Sequence, residues 1–383
     1  MQHWKGESLP LMARESITLP GNRISEVRAL TGIRGVAAMH VVFYHYFVPT
    51  PLTTPFLCLL GHGYLAVDLF FSLSGFVMAL NYGELFSQGV RLTTWWLFLS
   101  RRIARLYPLY LLTLLIGTIL VATGHLEYRG GPLIRSFVPN LLMVQNWGSW
   151  VSIDGAAWSI SAEFFAYLLF PFILSRILFR GWGSALTSGL VCVVGICGLA
   201  LFHIHHHDAL KMLDETGGPL SVVRCMLEFC LGILMYRSTD SSFGQAVKRQ
   251  DWICYALTAA ILASMAFPRT DLLVALLLPL HILSLNGSTN YVSRLLGWRP
   301  VEYLGLWSFS IYLLHWLLNP VLASVDTSLR RHGIPHSHTL AVGLTLPLLF
   351  ACSMATYYAI EVPGRRLLRQ LLESSYRRPT LAT

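Results

Sequence analysis

Long apolar stretches recur along the chain and restrict its fold more than any other feature. Residues 106–122, 184–202 and 338–360 form three such runs. Each is close in length to the ~20 residues that an α-helix needs to cross a hydrocarbon core of ~30 Å. Charged residues make up only 12% of the 383-residue chain, about half the fraction of a soluble domain. The pattern predicts an all-α membrane protein built as a bundle of spanning helices.

The apolar segments predict ten transmembrane helices with both termini in the cytoplasm. Their expected bounds are 33–49, 62–81, 104–123, 157–175, 183–203, 219–236, 251–267, 271–286, 306–324 and 338–360. This arrangement places 21 of the 28 Lys and Arg residues on the cytoplasmic side, as the positive-inside rule requires. We therefore expect a cytoplasmic segment 1–32, a transmembrane domain 33–360, and a basic tail 361–383 lying loosely against the inner leaflet.

Charge and cysteine content exclude two other classes of protein. The net charge of +9 is dispersed between apolar segments, so membrane topology explains it better than nucleic-acid binding. The seven cysteines form no C-x-x-C pair, and the run HIHHHD at 203–208 has no further ligand cluster near it. We expect neither a disulfide framework nor a metal site.

The first 30 residues contain no apolar leader segment, so no cleavable signal peptide is expected.

The first predicted span contains ionisable side chains, which are costly inside a bilayer and therefore point to function. Arg34 and His45 are eleven residues apart, so both project from one helix face about 16 Å apart along the axis. His40 points elsewhere. We expect Arg34 near the cytoplasmic surface and His45 at depth, where a neutral imidazole is the usual general base. The alternatives are that Arg34 extends to the interface and that His45 only bonds a neighbouring helix.

The second and third spans carry further polar groups. Asp68 lies near the outer end of the second span, and Ser74 and Gly75 lie at its centre. Small residues there permit close approach, either of a ligand or of another helix. Arg102 and Arg105, at i,i+3 spacing, share a face at the cytoplasmic mouth of the third span. They form either a phosphate clamp or an ordinary positive-inside anchor.

The fourth span opens with Trp158 and Ser161, followed by Glu163 inside an apolar run. A carboxylate there must face protein or water. Three roles are open to Glu163: orienting an imidazole, binding an acceptor hydroxyl, or pairing with Arg224. Arg224 also has Glu228 at i,i+4, so those two are expected to neutralise each other.

Taken in order, these stretches resemble the acyltransferase 3 family of membrane-bound acyltransferases. The resemblance covers about residues 26–366 and rests on RALTGIRGVAAMHVVFYH, GYLAVDLFFSLSGF, FLSRRIARLYPLY, WSISAEFFAYLLFPF, VEYLGLWSFSIYLLH and IEVPGRR. It implies an enzyme of the cytoplasmic membrane with ten core helices. The usual activity of the family is transfer of an acyl group, often acetyl, from acyl-CoA to a carbohydrate hydroxyl.

The family motifs fall on particular residues of this chain: Arg34 and His45, then Arg102 and Arg105, then Trp158, Ser159, Ser161 and Glu163. One position departs from the family pattern. Where relatives usually have an aspartate shortly before the first-helix arginine, this chain has Thr31. The salt bridge that would anchor Arg34 from there is absent. We also expect the stand-alone form, without an appended esterase-like domain.

The resemblance and the residues together predict an O-acyltransferase. The expected catalytic residues are His45 and Glu163; the expected acyl-CoA contacts are Arg34, Arg102, Arg105, Ser74 and Gly75; the expected acceptor contacts are Trp158, Ser161 and Asp68. Acetyl-CoA is the expected donor, and the expected acceptor is a carbohydrate or lipid-linked glycan, such as an exopolysaccharide or O-antigen precursor. Three alternatives remain: a transporter or flippase, a glycan polymerase or ligase, and an acyltransferase acting on a non-carbohydrate small molecule.

Overall fold

The computed structural model describes residues 21–47, 54–206, 212–214 and 216–374, which are helical with no strand. The predicted all-α class is confirmed for this part of the chain. Its helices are α1 (Gly21–Phe47), α2 (Pro55–Gly61), α3 (Ala66–Tyr82), α4 (Leu92–Ala122), α5 (Leu133–Leu141), α6 (Trp158–Leu178), α7 (Trp182–His206), α8 (Gly218–Ser238), α9 (Ser242–Arg249), α10 (Asp251–Met265), α11 (Asp271–Leu285), α12 (Tyr291–Leu296), α13 (Arg299–Leu317), α14 (Asn319–Arg331), α15 (Ser337–Thr356) and α16 (Val362–Ser374).

Six helical segments of the described residues are long and apolar enough to cross a membrane: Pro55–Tyr82, Leu92–Ala122, Gly155–Leu178, Trp182–His206, Gly218–Ser238 and Ser337–Glu373. The pair α13 and α14 makes a seventh if it is one bent span. Two other apolar helices, α10 and α11, have only 15 residues each. The helix α1 is 27 residues long, but its arginines and histidines lower its mean hydropathy.

The ninth predicted span is broken in the structure. Residues 306–324 were expected to form one helix, whereas α13 ends at Leu317 and α14 begins at Asn319 with a bend of 54°. Pro320 lies in the first turn of α14. Proline has no N–H to donate to the preceding turn and disfavours helical geometry in the residue before it, which accounts for the break.

The chain ends of the transmembrane domain also differ from expectation. The helix α1 begins at Gly21, before the predicted start at residue 33. The tail is helical as α16, where a loose segment was expected, because it docks on α4: Gly364 packs against Pro108, and Arg101 pairs with Glu373 at 3.1 Å. Residues 1–20 and 375–383 lie outside the described part.

Two close helix crossings fix the framework of the molecule. At the α1–α13 crossing, a Cβ added to Gly305 would collide with the backbone of Thr31, and Gly35 faces the same contact. At the α3–α8 crossing, Gly75 and Gly232 leave no room for a Cβ against the opposing backbone. Small residues let membrane helices approach closely. Thr31, which replaces the expected aspartate, therefore lies in a packing contact with α13.

Candidate active site

A cavity of about 180 Å³ lies between α1, α3, α4, α6 and α13. Its lining includes six of the residues singled out in the sequence, drawn from four separate helices: Arg34, Ser74, Arg102, Arg105, Ser159 and Glu163. Because the α1–α13 and α3–α8 crossings hold these helices close, side chains far apart in sequence face one another. The cavity is the candidate site.

Three arginines form one end of the cavity, and they differ in their partners. Arg105 forms an ion pair with the buried carboxylate of Glu361. Arg102 Nη2 donates a hydrogen bond of 2.7 Å to the hydroxyl of Tyr82, while its buried Nε has no hydrogen-bond partner. Within the described residues, no carboxylate lies at ion-pair distance from Arg34 or Arg102. Two guanidinium groups therefore line the cavity with no carboxylate of the described residues at ion-pair distance.

A hydrogen-bonded chain of polar side chains forms another wall. The hydroxyl of Tyr167 donates to Glu163 Oε1 at 2.6 Å, and Ser74 Oγ lies 3.2 Å from the same hydroxyl. Since the Tyr167 proton is directed to the carboxylate, Ser74 is the donor in the second contact. These hydrogen bonds hold Glu163 on the cavity side of α6.

Tyr312, the last lining residue along α13, forms a second pair of hydroxyls with Ser159 on α6. Ser159 Oγ and the hydroxyl of Tyr312 are 2.9 Å apart, and the ring of Phe70 meets Tyr312 edge-on at 5.8 Å between centroids. All three residues line the cavity. They form the layer between the cavity and the next turn of α13.

His45 lies beyond that layer, outside the cavity lining. It was expected at depth, but its side chain is exposed, two residues before α1 ends at Phe47. Its Nδ1 lies 3.0 Å from the carbonyl oxygen of Val41 and 3.3 Å from Nε2 of His315. The indole of Trp316 packs edge-on against its ring at 5.2 Å between centroids.

Asp68 and Arg224 are engaged with each other, away from the cavity lining. Arg224 donates to both carboxylate oxygens of Asp68, with its Nε at 2.8 Å from Oδ1, and lies 3.7 Å from Glu228. All three side chains are buried. The expected proximity of Arg224 and Glu228 is confirmed, whereas a Glu163–Arg224 pair is wrong because Glu163 is turned to Tyr167.

The other sequence candidates support the framework in this structure. Gly75 faces the backbone of α8 rather than the cavity, because its missing side chain is what lets α3 and α8 touch. Ser161 Oγ accepts a hydrogen bond of 3.1 Å from the backbone N–H of Asn146 and so holds the loop before α6. Trp158 is buried and packs edge-on against Phe71. Their predicted ligand contacts remain predictions.

Four residues of the site were not assigned a role from the sequence: Tyr167, Tyr312, Glu361 and His315. Each had a weak signal. Tyr167 follows Glu163 at i,i+4, and Tyr312 and His315 share the motif of the ninth span. Glu361 is a lone carboxylate at the end of an apolar run, in a π-helical turn, a feature frequent at functional sites.

A buried carboxyl group outside the predicted spans lies in the loop before α6. Asp154 accepts a hydrogen bond of 3.2 Å from the N–H of Ala156 and caps the turn at 155–157. In that turn Gly155 packs against the indole of Trp316. Burial raises the pKa of Asp154 to about 7.

Within the described residues no group of three His, Cys, Asp or Glu is arranged to hold a metal ion. Residues 207–208 of the histidine run lie outside that part.

Comparisons with known proteins find relatives among acyltransferases. A family model described as an acyltransferase domain matches residues 27–360. Acyltransferase MdmB of Streptomyces mycarofaciens is 30% identical over 320 residues, covering 77% of this chain and 80% of that protein. Peptidoglycan O-acetyltransferase OatA of Listeria monocytogenes is 23% identical over 350 residues, covering 80% of this chain and 52% of that protein. The chain thus spans about half the length of the latter relative. No solved structure matches significantly.

Proposed function

The chain belongs to this acyltransferase family, and we propose that it transfers an acetyl group from acetyl-CoA to a hydroxyl of a carbohydrate at the plasma membrane. The observation that carries the proposal is the cavity at whose end Arg34 and Arg102 lack a carboxylate partner among the described residues. A buried or half-buried cation without a counter-ion favours an anionic ligand, because the ligand supplies the missing charge.

The donor proposal rests on the charge and shape of the cavity. Three guanidinium groups stand against the carboxylates of Glu361 and Glu163, so the cavity keeps a net positive charge. Arginine binds phosphate through strong, charge-assisted hydrogen bonds. The volume of about 180 Å³ is below the ~300–1,000 Å³ of pockets that enclose a drug-sized ligand. These dimensions suit a narrow acyl-pantetheine arm inside, with the nucleotide and its phosphates held at the arginines.

The proposed chemistry uses His45 as general base on the acceptor. Its Nε2 takes the proton of the acceptor hydroxyl, and the hydroxyl oxygen attacks the thioester carbonyl carbon. The C–S bond then breaks, and the proton passes to the departing thiolate, which leaves as free CoA. General base catalysis of this kind contributes ~10²–10⁴ to a rate. Because Glu163 is bonded to Tyr167 on the cavity side, we assign it to alignment of the acyl arm and not of His45.

The meeting point of donor and acceptor is the layer formed by Ser159 and Tyr312. The cavity reaches this layer from the arginine end, and His45 lies one turn beyond it with an exposed side chain. Arg34 and His45 are separated by about 16 Å along α1. The acyl arm therefore enters from one side of the protein, and the acceptor reaches His45 from the other.

The same proposal includes ten spans with cytoplasmic termini. The six long apolar segments, the bent pair α13–α14, the long helix α1 and the short apolar helices α10 and α11 account for that number. Alkaline phosphatase fused after Glu127 is expected to be active, and fused after Arg180 inactive, because only the first position is then external. The reverse pattern would contradict the proposed orientation.

The acceptor is tested by mass spectrometry of surface glycans from cells with and without the protein. A carbohydrate acceptor predicts glycan fragments heavier by one acetyl group only when the protein is present. A matched strain carrying His45→Ala, with equal amounts of protein in the membrane, should resemble the strain without it. If the glycans were unchanged and an acetylated small molecule appeared in the medium, the acceptor would be a small molecule and the carbohydrate proposal would be wrong.

A further inference from the structure

His315 is a fully buried histidine with no role in the chemistry described so far. It lies on α13, one turn after the Tyr312 layer, and its ring meets that of His45 with centroids 5.0 Å apart. An imidazole in such a place, next to an exposed imidazole, is a costly arrangement unless its ring nitrogens are satisfied. Its hydrogen bonds therefore define what it does.

Backbone carbonyls fix the proton positions in both rings. Nδ1 of His315 lies 2.5 Å from the carbonyl oxygen of Tyr312, so this nitrogen carries the proton and Nε2 carries the lone pair. Nδ1 of His45 lies 3.0 Å from the carbonyl oxygen of Val41 and therefore also carries a proton. The same Nδ1 of His45 lies 3.3 Å from Nε2 of His315, so the N–H of His45 also donates a hydrogen bond to this nitrogen.

We propose that His315 is a positioning residue, which holds His45 in the tautomer whose Nε2 accepts the proton of the acceptor hydroxyl. The proposal rests on the proposed function, in which His45 is the general base. A hydrogen bond made by one ring nitrogen decides which nitrogen of a histidine is protonated. Without the acceptor at His315 Nε2, Nδ1 of His45 would lose one of its two described hydrogen bonds, and the ring would rotate more freely.

His315 also assists after the proton has moved. Once Nε2 of His45 is protonated, its Nδ1–H becomes a charged donor, and its bond to His315 becomes charge-assisted and stronger. In these tautomers each ring carries its proton on Nδ1 before the step, so no charge is buried permanently. The proton that His45 takes from the acceptor is the one it returns to the thiolate, so His315 gains and loses none.

The position of His315 is itself held from several sides. Its carbonyl oxygen accepts a hydrogen bond of 2.7 Å from the hydroxyl of Tyr46 on α1. Its ring contacts that of Tyr312, with centroids 5.8 Å apart, and Trp316 packs against His45 from the same helix. A rigid support of this kind is what a group needs to orient a catalytic side chain.

The test compares two substitutions of His315 in the full-length protein, purified in nanodiscs and supplied with acetyl-CoA and surface glycans as acceptor. Release of free thiol from acetyl-CoA is the readout. His315→Gln keeps an acceptor, because the glutamine side-chain oxygen reaches the position of Nε2. His315→Leu fills similar space without one. His281→Leu is the matched control, since His281 is also a buried histidine but lies on α11, away from the cavity.

We expect His315→Leu to lower kcat by roughly 10- to 100-fold, less than the ~10²–10⁴ of deleting the base, with the KM for acetyl-CoA unchanged. His315→Gln should retain most of the wild-type kcat, and His281→Leu all of it. Equal loss in the Gln and Leu variants, or a kcat of the Leu variant equal to wild type, would overturn the role of His315. If the wild-type protein released no thiol, or His45→Ala released it normally, the proposed function itself would fail instead.

Discussion

Removing the charge of Arg34 is the most informative perturbation of the proposed donor site. Arg34 lines the cavity and, within the part of the chain that the structure describes, has no carboxylate at ion-pair distance. The substitution Arg34→Gln therefore leaves no buried carboxylate without its partner. We expect the protein to fold and insert normally, with the loss confined to binding of an anionic ligand.

The size of the effect follows from the interaction that is lost. A hydrogen bond to a charged group contributes ~1.5–3 kcal/mol, and about 1.4 kcal/mol corresponds to a factor of ten in affinity. Arg34 is half-buried, so solvent screens the charge in part and the lower end applies. We expect the KM for acetyl-CoA to rise about tenfold, with a smaller change in kcat, because His45 is about 16 Å away along α1.

The assay measures thiol release in the presence of surface glycans as acceptor, with two donors, acetyl-CoA and acetyl-pantetheine. The second donor lacks the phosphates. Arg34→Gln should raise the KM for acetyl-CoA and leave that for acetyl-pantetheine unchanged. Arg101→Gln is the matched control, because Arg101 is a neighbouring arginine that pairs with Glu373 outside the cavity. An unchanged KM for acetyl-CoA, or an equal rise with both donors, would refute phosphate binding by Arg34.

Three further predictions concern stability and follow from single contacts, each read as the thermal midpoint of the purified protein. Arg105→Gln leaves the buried carboxylate of Glu361 unpaired, which should lower the free energy of unfolding by ~3–5 kcal/mol. The thermal midpoint of this variant should therefore fall well below that of Arg34→Gln. Equal midpoints would contradict a structural ion pair. The carboxylate of Asp154 binds a proton more tightly in the folded protein, so the thermal midpoint of the wild type should fall as pH rises from about 4 to about 7. Asp154→Asn should make the midpoint depend less on pH over this range. An equal pH dependence in both proteins would argue against a raised pKa of Asp154. Gly305→Ala should overpack α1 against α13 and lower the free energy of unfolding by ~1–3 kcal/mol, and so lower the thermal midpoint. An unchanged midpoint would contradict a tight α1–α13 crossing.

Helix positions were largely predictable from the sequence because they depend on local composition. The apolar runs placed α7 and α8 within a few residues of their observed bounds. The break at Leu318 was missed, since a proline in an apolar run is compatible either with a kinked helix or with a new helix start. Which occurs depends on how α14 packs, and packing is not a local property of the sequence.

The site was predicted in part, and the limit is again long-range contact. Ionisable residues in apolar spans stand out in a sequence, so Arg34 and Glu163 were found. The partners of such residues do not stand out. Asp68 resembled an acceptor contact because nothing in its own segment shows that Arg224, 156 positions away, would bind it. The pairing of His45 with His315 depends on the α1–α13 crossing in the same way.

In the proposed function, an acetyl group passes from acetyl-CoA through this cavity to an acceptor with the help of His45. The most direct measurement supplies isotope-labelled acetyl-CoA to membranes containing the wild-type protein, Arg34→Gln or His45→Ala at matched protein levels, and follows label in the carbohydrate fraction. We expect label with the wild type, little with Arg34→Gln at limiting donor and recovery at high donor concentration, and none with His45→Ala at any concentration. Label appearing equally in all three membranes would contradict the proposed function.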